Sequence, residues 1–130
     1  MHFYWLGKGW IELEKGNADA ACSHFEKAAQ EAWWFWLHYP LALAYLEAGR
    51  LAEAVDEFEN LLERFSEYRA FDPIRAVKSY YHLAVAYERS GWHEKSVKQY
   101  EEFLDIWKDA GPGIEEVQDA KQRLAALKKM

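Results

Sequence analysis

The sequence is poor in the residues that staple, interrupt or anchor a chain: one cysteine, three prolines and two methionines among 130 residues. A single Cys22 cannot close an internal disulfide, so the fold depends on its own core, and a reducing compartment suits it. The setting Ala20-Ala21-Cys22-Ser23 places no basic side chain at helical spacing to activate a thiolate, which predicts a buried, inert thiol. Uncharged runs are short. The one that takes in Ala32–Ala44 contains His38 and Pro40, ends before Glu47, and falls below the length a bilayer-spanning helix needs. Near the start, Lys8, Glu12 and Glu14 interrupt the apolar residues, so a continuous signal-peptide core is missing. These absences lead to the expectation of a soluble, cytoplasmic protein with no membrane partner. Basic residues are the scarcer charge, 16 against 22 acidic. The resulting net charge of −6 opposes attraction to a phosphate backbone and argues against nucleic acid as a partner.

What is abundant is aromatic surface: 17% of residues, with seven tryptophans, enough either to fill a core or to line a surface meant to be covered. The stretch Leu41–Leu62 shows how it is organised. In its first half Leu41, Tyr45 and Ala48 share one helical stripe and Leu43 and Leu46 the next, so two faces are apolar. In its second half Leu51, Ala54, Val55, Phe58, Leu61, Leu62 and Phe65 follow the i, i+3, i+4, i+7 spacing of one buried face. Gly49 sits between them, where a residue able to adopt positive φ closes the first helix. This is a helical hairpin, and a first helix with two apolar faces requires neighbours of the same kind.

The rest of the chain supplies them. Residues Met1–Lys15 and Ala18–Glu31 flank Gly16-Asn17, with Ala21, Phe25, Ala28 and Ala29 inward on the second helix. Trp33-Trp34-Phe35-Trp36 leads into the helix of Leu41; four consecutive residues circle a helix, so at least one indole is expected to be exposed or in an interface. Pro40 belongs in a first turn, which places that helix from about Leu37 or Tyr39 to Ala48. Asp72-Pro73 restarts the chain as an N-cap acceptor followed by proline. A third hairpin follows, Ile74–Ser90 and Glu94–Lys108 about Gly91-Trp92, with Val97, Tyr100, Phe103, Leu104 and Trp107 inward. Gly111-Pro112-Gly113 ends it. A last amphipathic helix, Ile114–Lys128, carries Ile114, Val117, Leu124 and Leu127 on one face, with Glu115 and Glu116 in its first turn and Lys128 and Lys129 at its end, where each charge suits the helix dipole.

The turn glycines fall at 16, 49 and 91, intervals of 33 and 42 residues. Around each of them the spacing resembles the tetratricopeptide repeat, a helix-turn-helix unit of about 34 residues. The matching positions are Leu41, Ala42, Tyr45, Gly49, Ala54 and Phe58 in the second unit, and Leu83, Ala84, Tyr87, Gly91, Ser96 and Tyr100 in the third. In the first unit Trp5, Gly9, Gly16, Ala21, Phe25 and Ala28 match, while Lys8 and Glu12 stand where the family usually has apolar residues; an alignment shifted through Leu6-Gly7-Lys8-Gly9-Trp10 is the other option. The resemblance implies an all-α protein. Its expected form is a right-handed superhelical stack of three repeats, about 2–32, 35–66 and 73–108, closed by a capping helix at about 114–128, in one domain over 1–130. The extra residues of the 42-residue interval are expected to lengthen the helices around Phe65–Arg75. The C-terminal part, Tyr100–Ala110 with Asp119–Leu124, is also similar to repeats of bacterial multidomain signalling proteins, including eukaryotic-like protein kinases.

No nucleophile-and-base pair, metal set or phosphate loop is visible, so the sequence reads as non-enzymatic, with no cofactor and no metal. Gly7-Lys8-Gly9 lies in a helical pattern without the strand and Lys-Ser or Lys-Thr of a phosphate loop. The histidines at 2, 24, 38, 82 and 93 lack i, i+4 pairing, although His38 and His82 could approach across stacked repeats. A binding surface is the better reading. In a stack of such hairpins the first helices line the concave side, and spacing from each glycine puts Leu6, Trp10 and Leu13, then Tyr39, Leu43 and Leu46, then Lys78, Tyr81, Val85, Glu88 and Arg89 along it. That stripe is largely apolar and suits an apolar or amphipathic peptide or helix of a partner protein. Relatives that grip acidic chaperone tails carry Lys and Asn there; Leu6, Trp10 and Pro40 replace them and only Lys78 matches, which predicts that the carboxylate clamp is missing. Two alternatives remain: a homodimer joined through the aromatic N-terminal end, and a small-molecule-binding or enzymatic protein using the groove.

Overall fold

The computed structural model describes residues 2–31, 37–107 and 115–130, and among them the regular structure is helical throughout. The Trp33–Trp36 run and Gly111-Pro112-Gly113 lie outside the described residues. In chain order the helices are α1 (His2–Glu14), α2 (Ala18–Glu31), α3 (His38–Glu47), α4 (Leu51–Glu63), α5 (Phe65–Phe71), α6 (Pro73–Arg89), α7 (His93–Trp107) and α8 (Glu115–Lys128). Contacts divide the chain into an N-terminal unit, Met1–Glu63, and a C-terminal unit, Arg64–Met130. The N-terminal unit packs α1 on α2, α3 on α4, and α2 on α3; the C-terminal unit packs α5 on α6, α6 on α7, and α8 on α7 and α6.

Three helix pairs, α1–α2, α3–α4 and α6–α7, are closed by one turn repeated three times. Gly16, Gly49 and Gly91 have φ of 83°, 78° and 84°, a region in which a Cβ costs about 1 kcal/mol or more. The positive φ folds the chain back so that Asn17, Arg50 and Trp92 N–H groups each donate 2.9 Å bonds to the carbonyls of Glu12, Tyr45 and Tyr87. The glycine N–H groups donate to Leu13, Leu46 and Glu88. On the far side, Ala21, Ala54 and Ser96 N–H groups donate to Asn17, Arg50 and Trp92, opening the second helix.

Counting from the turn glycine shows why the pairs close tightly. Seven residues before it stand Gly9, Ala42 and Ala84, and five after it Ala21, Ala54 and Ser96. All six are buried, and none carries a side chain larger than a hydroxymethyl. Ser96 satisfies its hydroxyl by donating 2.8 Å to the Ala84 carbonyl. Nine residues after the glycine come Phe25, Phe58 and Tyr100, none with solvent exposure. In the first pair the fit is extreme: a Cβ on Gly9 would lie 2.4 Å from a ring carbon of Phe25. This settles the register of α1. Lys8 is exposed and Glu12 half-buried, with Asn17 Nδ2 donating 2.8 Å to the Glu12 carboxylate, so neither occupies a core position.

The 42-residue interval meets the expectation in part. α4 is not lengthened, since it stops at Glu63 and a separate short helix, α5, is inserted, whereas α6, at 17 residues, runs longer than its counterpart α1 at 13. Arg64 at φ −107°, ψ 31° breaks the continuity. Tyr68 is then fully buried and Phe65 packs edge-on against Tyr80 at 5.2 Å. Asp72 serves two helices, donating its N–H to Tyr68 at the end of α5 and accepting the Arg75 N–H at the start of α6, where Pro73 has no N–H to satisfy.

Gly9 and Gly7 make a matched test. Gly9→Ala drives a methyl into a ring held by its own core and is expected to lower stability by about 1–3 kcal/mol. Gly7→Ala, with nothing within 4 Å of its added methyl, is expected to raise stability by about 0.5–1 kcal/mol through helix propensity. Urea unfolding followed by circular dichroism reads both.

Candidate functional site

The residues expected along the concave stripe separate into two groups once their surroundings are known. In the N-terminal unit Leu6, Trp10 and Leu13 of α1 and Leu43 of α3 are half-exposed. Trp10 sets one ring edge against Phe25 at 5.4 Å, which fixes the indole from the core side. Leu13 and Leu43 meet across a groove of about 240 Å3, completed by Gly16, Ala18 and Glu47. It lies below the roughly 300–1,000 Å3 of small-molecule pockets and suits an anchoring side chain better than a whole ligand.

Tyr39 and Leu46 of α3 differ from expectation: both are 4% exposed. Tyr39 turns to the core, edge-on to Phe58 at 6.3 Å. Neither offers a face to a partner.

In the C-terminal unit the corresponding stripe of α6 meets α8. Lys78 Nζ lies 2.9 Å from Glu116, the Tyr81 hydroxyl donates to Asp119, and Arg123 Nη1 lies 3.4 Å from Glu88. Arg123 Nε also donates 2.6 Å to Asp119, and the Tyr100 hydroxyl donates 2.8 Å to Glu88. Val85 is 4% exposed. Of the expected residues on α6, only Arg89 is exposed. The helix that terminates the chain's core thus takes the polar partners that sequence spacing assigned to a ligand. The signal for this was present as Glu116, Asp119 and Arg123, at i, i+3 and i+7 on the face of α8 opposite in charge to Lys78 and Glu88.

Protonation follows from these contacts. Burial and the bond to Asp119 push the Tyr81 phenol above its ordinary range, and burial and Glu88 do the same to Tyr100, so both remain neutral donors. Burial tends to raise Glu116 and Asp119, but Lys78 for the first, and Tyr81 and Arg123 for the second, outweigh it and hold both carboxyls below their ordinary values. Burial pushes the His82 imidazole down to about 4, against the pull of the Glu116 carboxylate and with the Lys78 ammonium adding to it. In the N-terminal unit burial raises the Cys22 thiol despite the Arg50 guanidinium nearby, so this sulfur is an inert core group. His38 Nδ1 lies 2.6 Å from Glu57. No group of three or more His, Cys, Asp or Glu placed to hold a metal ion occurs among the described residues.

Charge is unevenly divided. Residues 1–63 carry eleven acidic and four basic side chains, a formal −7, whereas residues 64–130 carry eleven and twelve, a formal +1. Three of the four basic residues in the first unit are engaged: Lys8 over Tyr4 at 4.7 Å, Lys27 over Trp5 at 4.3 Å, and Arg50 bonded to both oxygens of Glu53. This asymmetry is invisible in the net charge of the whole chain.

A pH dependence follows for the C-terminal unit. The unfolded chain takes up a proton at His82 near its ordinary value of 6.5, whereas the folded chain resists until about 4. Stability therefore falls as pH drops through that window, and Glu116 and Asp119 deepen the fall below their unfolded values of 4.5 and 3.8. Urea midpoints measured between pH 7 and pH 4 are expected to decline, and His82→Gln is expected to flatten the decline above about pH 5.

Sequence comparison agrees with this geometry. Two tetratricopeptide repeat profiles match, one over residues 35–109 and the other over residues 4–32. Among curated proteins no sequence match is found. The first match alone spans more than half of the chain, and its boundaries take in the α3–α4 and α6–α7 pairs whose turns and small-residue contacts are described above. The chain belongs to the tetratricopeptide repeat family.

Proposed function

We propose that this protein is a non-catalytic interaction module whose N-terminal unit takes an apolar or amphipathic segment of a partner protein against Leu6, Trp10, Leu13 and Leu43. Tetratricopeptide repeats mediate protein–protein interaction, and the specificity of such a scaffold resides in the few side chains it leaves uncovered. The observation that carries the reading is the groove between Leu13 and Leu43. Two leucines from different helix pairs stay half-exposed there, while their neighbours Tyr39, Leu41 and Leu46 are buried. Keeping them partly uncovered forgoes a fraction of the roughly 1.5–3 kcal/mol that full burial of a leucine contributes, unless a partner covers them. The matching stripe of α6 is already covered by α8, which leaves α1 and α3 as the available half.

A second reading has its own observation. Tyr4 and Ile11 are 53% and 54% exposed on α1, seven residues apart on one stripe with Gly7 between them. That face could pair two copies of the chain through α1. A sedimentation coefficient that rises with concentration, and that Ile11→Lys holds constant, would establish this reading; a single monomeric species at high concentration rejects it.

The groove reading is tested by selecting peptides from a displayed random library against the full chain. Peptides with an apolar anchor are expected, with affinity lowered about tenfold or more by Leu43→Asp at unchanged helicity. Equal affinity for the folded Leu43→Asp chain contradicts the groove.

A further inference from the structure

The groove has a carboxylate at its edge, Glu47, as well as an apolar floor. Two residues before the turn glycines stand Glu14, Glu47 and Arg89, so the N-terminal unit presents carboxylates at the position where the C-terminal unit presents a guanidinium. Glu47 lines the groove beside Leu43. Glu47 is exposed, and so is Glu14, which does not line the groove. Five other carboxylates of this unit are engaged: Glu12 by Asn17, Glu26 by the Tyr45 hydroxyl, Glu31 by the Trp5 indole, Glu53 by Arg50 and Glu57 by His38. Glu14 and Glu47 have neither an ion pair nor a hydrogen bond among the described residues. They belong to a unit with a formal charge of −7, in which Lys15 is the one basic side chain with no ring or carboxylate engaged among the described residues.

Deepening the groove reading above, and resting on it, we propose that the occupant is a basic segment of a partner protein. One apolar side chain enters between Leu13 and Leu43, and a flanking lysine or arginine side chain pairs with Glu47. That carboxylate sits at the edge of an apolar surface that the occupant dries, where an ion pair is screened less than it is in open water. The surplus of negative charge on the unit also steers a cationic segment toward the groove before contact. The same charge disfavours an acidic peptide. Floor and rim therefore select together: the leucines require an apolar anchor, and Glu47 requires a cation beside it.

Three synthetic peptides of equal length separate the two requirements when each is titrated, fluorescently labelled, into the full chain and followed by anisotropy: an amphipathic Leu/Lys peptide, its Leu/Glu counterpart and a Ser/Lys peptide. The Leu/Lys peptide is expected to bind at least about tenfold more tightly than either of the others. Leu43→Asp is expected to weaken it by about tenfold and Glu47→Gln severalfold, both with helicity unchanged, and Glu47→Gln is expected to reduce its salt dependence. Equal or tighter binding of the Leu/Glu peptide, still sensitive to Leu43→Asp, overturns the charge assignment while the groove stands. Binding of the Leu/Lys peptide that ignores Leu43→Asp, or is matched by the Ser/Lys peptide, overturns the groove together with the proposal. Undetectable binding of the Leu/Lys peptide at low ionic strength also overturns the proposal.

Discussion

Everything in this chain depends on how closely two helices can approach one another beside a glycine turn. The three turns share φ values within a few degrees and the same set of backbone bonds. The small residues at fixed distances from each glycine then let a buried aromatic, Phe25, Phe58 or Tyr100, fill the space beneath them. Gly9 against Phe25 is the limiting case, because there even a methyl has no room. Interiors this dense do not deform gradually, so the spacing of the helices, and with it the width of any groove on their other side, is fixed by residues that never touch a partner.

The same register places different chemistry at the two ends of the chain. Three and six residues before the turn the N-terminal unit has Leu13 with Leu46 and Trp10 with Leu43, and the C-terminal unit has Glu88 and Val85. Glu88 takes Tyr100 and Arg123, and α8 adds Glu116 and Asp119 against Lys78 and Tyr81. These pairs are half-exposed, so each contributes modestly to stability, but their alternating signs fix how α8 lies on α6 and α7. One unit is finished with polar locks, while the other keeps an apolar floor with Glu47 at its edge.

Much of this was legible in the residues. Glycines at 16, 49 and 91, alanines at 42 and 84, and the Asp72-Pro73 restart carry their structural reasons locally, and the helices start and stop where those reasons place them. What was hidden needed the third dimension. The insertion before Asp72 reads as extra helix in sequence, and only the break at Arg64 makes it a separate α5. The stripe from Leu6 to Arg89 has a uniform spacing, yet spacing cannot say that Tyr39, Leu46 and Val85 turn to the core or that α8 lies over Lys78 and Tyr81. Nor does a net charge of −6 reveal that the first unit holds −7 of it.

An interaction centred on the Leu13–Leu43 groove is tested most directly by amide chemical-shift mapping of the full chain titrated with the Leu/Lys peptide. The largest shifts are expected at Leu13, Gly16, Ala18, Leu43 and Glu47, the residues that line the groove. Shifts that concentrate instead at the shallow hollow of Gly91–Lys95, where Trp92 is 49% exposed, or that spread evenly over the acidic surface, would contradict it.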